Sequence, residues 1–160
     1  MGSSPPKNQD VVRRFTWVVA SIKVHLDELR DFWAKALSIS GPQWMILMAL
    51  VDLDKEDGVP VNVVSNKLHV DPSFITTQSK LLEKKGLLRR KPSAEDARIV
   101  KMSLTDRSYK HLAGLASQQE TLNDFIYAEL NEKQLNELTD TLNRLNKRLE
   151  KATLKVVVDS

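Results

Sequence analysis

Cysteine is missing altogether from the 160 residues. With it go disulfide staples, thiolate metal sites, thiol nucleophiles and any cysteine-based redox switch. Glycine and proline number only 5 and 6, too few to punctuate a chain of many short strands, so a helix-rich fold is expected. No apolar run reaches the roughly 18 to 20 residues needed to cross a bilayer, and the amino terminus lacks the charged and apolar regions of a secretory signal. The chain is therefore expected to work in the cytoplasm without a membrane partner. Catalytic signatures are missing too: there is no phosphate-cradling glycine loop, no nucleophile elbow and no HExxH, so neither an enzyme nor a cofactor is expected. His25, His69 and His111 share no ligand spacing, which leaves no metal site to expect.

What is present is 41% hydrophobic and 28% charged residues, the composition of a soluble globular protein. The net charge of +3 says little by itself. Its distribution says more: Lys80 to Lys101 holds eight basic residues against three acidic ones, a local excess of five in a chain whose total is three. Such a run is either a solvated face or the electrostatic footprint of a nucleic-acid reader.

The periodicity divides the chain. Residues 1–9, with two prolines and no apolar pattern, read as a disordered tail. From residue 10 to 37 the apolar positions Val11, Phe15, Val18, Ile22, Leu26, Leu29, Trp33 and Leu37 recur at steps of three and four, predicting one long amphipathic helix. Ser40, Gly41 and Pro42 turn the chain into a second helix, and residues 54–60 read as a loop. Two short helices follow, over Val61 to Leu68 and Pro72 to Lys85, the second capped by Asp71 and stopped by Gly86. Leu87 to Lys91 and Ile99 to Leu104 read as strands of a hairpin with a charged tip. From Thr105 the pattern is helical again, and Leu135, Leu138, Leu142, Leu145, Leu149 and Ala152 have the spacing of a coiled-coil seam, which wants a partner helix. The expected fold is mainly α with a small β-hairpin wing. Residues 40–104 form a winged helix-turn-helix, and residues 10–37 and 105–155 form a helical dimerisation region.

Two short helices about a tight turn, with a hairpin after them, are the parts of a winged reader of double-stranded DNA, whose second helix fits a major groove about 12 Å wide. Ile75, Leu81 and Leu82 are the expected inward anchors of that helix. Ser73, Thr76, Thr77 and Lys80 then face outward, with groups suited to base edges and phosphates. Gln78 can read an adenine edge, while Phe74 either packs under the preceding helix or touches a thymine methyl group. Lys84 and Arg89 belong to the same basic stretch. At the hairpin tip, Asp96 two residues before Arg98 either stiffens the loop or aims a guanidinium into a minor groove.

The stretch Leu82 to Arg90 (LEKKGLLRR), then Glu95 to Arg98 (EDAR), then Leu104 and Thr105, resembles the signature of the MarR family of bacterial regulators. Ser40 to Trp44 (SGPQW) is similar to the start of that family's second helix. The resemblance implies a homodimer with two winged helices facing one pseudo-palindromic operator, the helix at Pro72 to Lys85 in the major groove and Arg98 in the minor groove. It also implies a repressor released by a small aromatic carboxylate, a phenol or an aromatic coenzyme A thioester. The sequence departs from the family's usual pattern at Thr77, Ala97 and Ser108, where a basic residue, a second arginine and a glycine are common.

For such an effector the candidate residues are Arg13, Arg30 and His25 as charged partners and Trp17, Trp33 and Trp44 as apolar walls. The competing role of each indole, and the commoner one for such residues, is core packing, and that of His25 is a hydrogen-bonded interface residue. The competing reading of the whole chain is a winged-helix protein-interaction module without DNA binding.

Overall fold

The long apolar row draws the chain into α1, Gln9–Ala36, in a computed structural model that describes residues 9–53 and 55–158. The tail expected at residues 1–9 lies outside the described residues apart from Gln9, where α1 begins. Ser38, at φ 55°, ends that helix and turns the chain into α2, Gly41–Asp52, bent 88° away. The start of α2 is doubly capped: the Ser40 hydroxyl accepts from the Gln43 backbone N–H at 3.3 Å, and the Gln43 side-chain Oε1 accepts from the Ser40 N–H at 3.1 Å. Gly41 is needed for close approach, because a Cβ there would collide with the Asp31 carboxylate and stand 2.5 Å from Arg30 Nε.

After a two-residue strand, β1 (Val59–Pro60), come α3 (Val61–Leu68) and α4 (Pro72–Lys84). His69, left-handed at φ 54°, makes the turn between them. Then β2 (Leu88–Pro92) and β3 (Val100–Leu104) form an antiparallel hairpin, and β1 joins its far edge in the order β1-β3-β2. The loop expected at residues 54–60 thus contains a strand that sequence pattern misses, since two residues, one of them proline, carry no alternation.

Ile46 and Leu47 of α2, Val64 of α3, Ile75 and Leu82 of α4, Leu88 of β2 and Met102 of β3 are each no more than 1% exposed. At about 1.5–3 kcal/mol for each large side chain buried, these contacts give residues up to Leu112 a core of their own. The inward row of α4 differs from expectation in one place. Leu81 is 42% exposed and Ser79 takes the interior position, because Ile75, Ser79 and Leu82 share a stripe from which Leu81 is turned by about 100°.

Gly86, at φ 72°, closes α4 in the left-handed region. The first turn of α5, Asp106–Ile126, fastens that corner. Arg107 Nη1 donates to the Lys85 carbonyl at 3.1 Å, Thr105 Oγ1 to the Gly86 carbonyl at 2.8 Å, and the Ser108 hydroxyl to the Leu87 carbonyl. Ser108 is fully buried, so the residue that departs from the family pattern has its hydroxyl satisfied in place.

From Ala113 the chain forms a second unit, made of the rest of α5 and of α6, Glu132–Val158. Asn131 and Gln134 cap α6 reciprocally at 2.9 and 3.0 Å. No side chain of α6 is buried within the single chain, and Leu138, Leu142 and Leu149 of the seam are 46%, 40% and 54% exposed.

Candidate nucleic-acid interface

The amino-terminal end of α4 is built by Asp71, whose carboxylate accepts the Ser73 N–H at 2.7 Å, with Pro72 setting the first helical turn. Hydrogen bonds from the Ser73 hydroxyl and N–H hold the Asp71 carboxyl below the usual carboxylate range. Beyond this cap Ser73, Phe74, Thr77 and Lys80 are exposed, and Thr76 and Gln78 are half-buried. Phe74 is 37% exposed, so most of its ring is covered while part of it reaches the surface. The Thr77 hydroxyl donates back to the Ser73 carbonyl at 3.1 Å, which leaves its methyl group and the two acceptor lone pairs of its oxygen as its outward chemistry. Gln78 is drawn inward, its carbonyl oxygen accepting from Gln43 Nε2 at 3.0 Å, so the capped start of α2 and the middle of α4 are tied together.

At the wing, the Asp96 carboxylate takes three hydrogen bonds from Arg98: from Nε at 3.1 Å, from Nη2 at 3.1 Å and from the backbone N–H at 3.0 Å. The fork fixes the direction of a side chain that is 90% exposed. The same bonds, the side-chain ones foremost, hold the Asp96 carboxyl below its ordinary value. A depressed carboxylate contributes order above its unfolded pKa and loses it as pH falls through the folded one. The wing arginine should accordingly keep its orientation unchanged between pH 5 and 8. An NMR titration of the Arg98 Nε–H resonance checks this, and a midpoint above about 4 contradicts it.

A cleft of about 300 Å³ separates α4 from the wing and is lined by Pro72 and Thr76 on one side and by Arg90 and Arg98 on the other. Pro72 and Thr76 of α4 and Arg98 of the hairpin therefore border one opening within a single unit. Lys84 and Arg89 lie elsewhere. Lys84 is at the far end of α4, beside a second cavity that it lines with Lys85, Arg107 and His111, and Arg89 is exposed on the strand β2. Arg90, absent from the sequence-based set, faces the cleft. Its signal was the alternation of β2, which places Arg90 two residues from buried Leu88 on the helix-facing side of the hairpin.

The effector candidates fall into two groups. Arg13, Trp17 and His25 are exposed on the first part of α1, Arg13 paired with Asp10 at 2.5 Å and His25 with Glu28 at 3.1 Å. Arg30 and Trp33 stand near its end, where Arg30 bridges Asp27 and Asp31 at 3.0 Å each and abuts the start of α2. Trp33 is buried edge-on to Phe32, with centroids 5.0 Å apart, and Trp44 is 3% exposed. Arg13 and Arg30 are about 25 Å apart along one helix, so a small ligand does not touch both on the same chain.

Residues 39–100 match the model of the MarR family. Over 60 residues the chain is 33% identical to the HTH-type transcriptional repressor MdtR of Bacillus subtilis, a stretch that covers 38% of this chain and 39% of that protein. The matched stretches span less than half the length of the curated relatives. In three dimensions the chain is similar to a MarR protein from Peptoclostridium difficile, with a TM-score of 0.72, 18% identity and 98% of each chain covered. It is also similar to MepR of S. aureus, solved as a complex with DNA, with a TM-score of 0.71, 18% identity and 84% and 96% of the two chains covered. The MarR-family match runs from the start of α2 to the start of β3, and the solved relatives share the fold of the chain that carries it.

Proposed function

We propose that the protein is a homodimeric, sequence-specific DNA-binding transcriptional regulator of the cytoplasm that acts as a repressor. The observation that carries this reading is the shared cleft. Pro72 and Thr76, on the amino-terminal half of α4, and the Asp96-braced Arg98 border one opening, an arrangement suited to a helix in a major groove and an arginine in the adjacent minor groove. MdtR, by its name, is a transcriptional repressor, and MepR is a fold relative solved on DNA.

Dimerisation is supported by unpartnered apolar surface. Val11, Phe15, Val18, Ile22 and Leu26 of α1 are 47–53% exposed, and Leu138, Leu142 and Leu149 of the α6 seam are exposed as well. Rows of that extent call for a covering partner, and a second copy carries matching seams. The releasing signal is proposed to be a small aromatic carboxylate, a phenol or an aromatic coenzyme A thioester. Arg30 and Trp33, at the corner of α1 and α2, offer the cation and the apolar wall on the chain itself.

An electrophoretic shift with the DNA flanking its own coding region, repeated across salt, tests the reading. Expected is a retarded complex whose log affinity falls linearly with log salt, at about 0.9 per phosphate contacted. Affinity that does not respond to salt rejects DNA as the partner and returns the winged helix to protein interaction.

A further inference from the structure

β2 and β3 pair with Leu88 opposite Leu104, Arg90 opposite Met102 and Pro92 opposite Val100. Successive residues of a strand point to opposite faces, and Leu88 and Met102 are buried against the helices, so Arg90 is on the helix side while Arg89 and Lys91 are on the other. Arg90 is half-buried. Its Nε is shielded from solvent and has no hydrogen-bond partner, alone among the buried side-chain nitrogen and oxygen atoms of the described residues. The nearby Glu83 carboxylate is engaged by the backbone N–H of Arg90 at 2.9 Å. In the cleft beside it, Asn62, Thr76 and Arg98 add an amide, a hydroxyl and a second guanidinium, and no lining residue is acidic.

A charged donor held dry without an acceptor is costly, and such a group in an open cleft is stabilised by an anionic oxygen arriving there. The place of the cleft says which one. When a helix occupies a major groove and an arginine the neighbouring minor groove, one sugar–phosphate strand separates them, and the cleft separates α4 from Arg98 in the same way. We propose that Arg90 clamps a backbone phosphate of the bound DNA strand in this cleft, with the Thr76 hydroxyl as a second donor. The assignment rests on the DNA-binding reading and adds a residue that fixes register on the duplex instead of reading bases.

The test uses a duplex selected by the full-length wild-type chain from a random pool, with the variants Arg90→Gln, Arg90→Lys and Arg90→Met. Arg90→Gln should weaken binding about tenfold or more and flatten the log–log salt slope by about 0.9 per protomer, whereas Arg90→Lys should keep the slope. Arg90→Met, which keeps the stem and removes the unpaired donor, should melt at the same temperature as wild type or higher while binding as poorly as Arg90→Gln. One methylphosphonate placed along the duplex should weaken the wild type and leave Arg90→Gln indifferent. Unchanged slope and affinity in Arg90→Gln, or loss of melting temperature in Arg90→Met with DNA binding intact, overturns the clamp and makes Arg90 a structural residue. If the wild type selects a duplex that Arg98→Ala loses and Arg90→Gln does not, the clamp alone falls. If the wild type selects no duplex, both readings fall.

Discussion

Arg98→Ala is expected to lower affinity for operator DNA by about 30- to 1000-fold, from about 1–2 kcal/mol lost at each of two wings in a dimer. The side chain is 90% exposed and its hydrogen bonds all go to Asp96, so the fold loses nothing it stands on. Thermal unfolding should stay within about 0.5 kcal/mol of wild type. Titration of labelled duplex by fluorescence anisotropy at fixed salt gives the affinity, and calorimetry gives the unfolding. A protein-binding winged helix would be nearly indifferent to the change, so equal affinities of variant and wild type would remove the DNA reading.

The paired change Leu142→Asp with Leu145→Asp should abolish the dimer at micromolar concentration. Both residues belong to the α6 seam, Leu142 at 40% exposed and Leu145 half-buried. Closing a second helix over the aspartates would desolvate two carboxylates per chain at positions built for leucine, a cost of several kcal/mol for each ion. Sedimentation should then report one chain, 18.2 kDa, where the wild type reports two. The core residues around Ile46, Leu82 and Met102 belong to the other unit, so the buried Trp44 should keep its fluorescence while the mass halves. An undiminished mass would refute the seam.

The helices were legible because their signals are local and redundant. The first helix announced itself through eight apolar positions in register, α4 through Asp71, Pro72 and Gly86, and α6 through Asn131 with Gln134. What sequence could not give depends on the third dimension. Whether Gln78 is free or bonded to Gln43, 35 positions away, follows from how α2 crosses α4 and from no neighbour in the chain. Leu81 and Ser79 exchange places because an apolar residue next to Leu82 looks equally inward until the axis of α4 is fixed. Between Arg89 and Arg90 a one-residue difference in strand phase decides which side chain reaches the cleft. Strand ends set that phase, and here β2 begins one residue later than the apolar pattern suggests. The candidate effector residues share only a type, cations and indoles on one stretch, and type says nothing of the spread of about 25 Å between Arg13 and Arg30 along the helix axis.

The three hydrogen bonds by which the start of α5 grips the carbonyls of Lys85, Gly86 and Leu87 join its first turn to the corner that ends α4. At about 1 kcal/mol each, they keep the joint shut in all but roughly one molecule in a hundred. A displacement of residues 105–108 is therefore passed directly to the three carbonyls that close α4, because no free hinge lies between them.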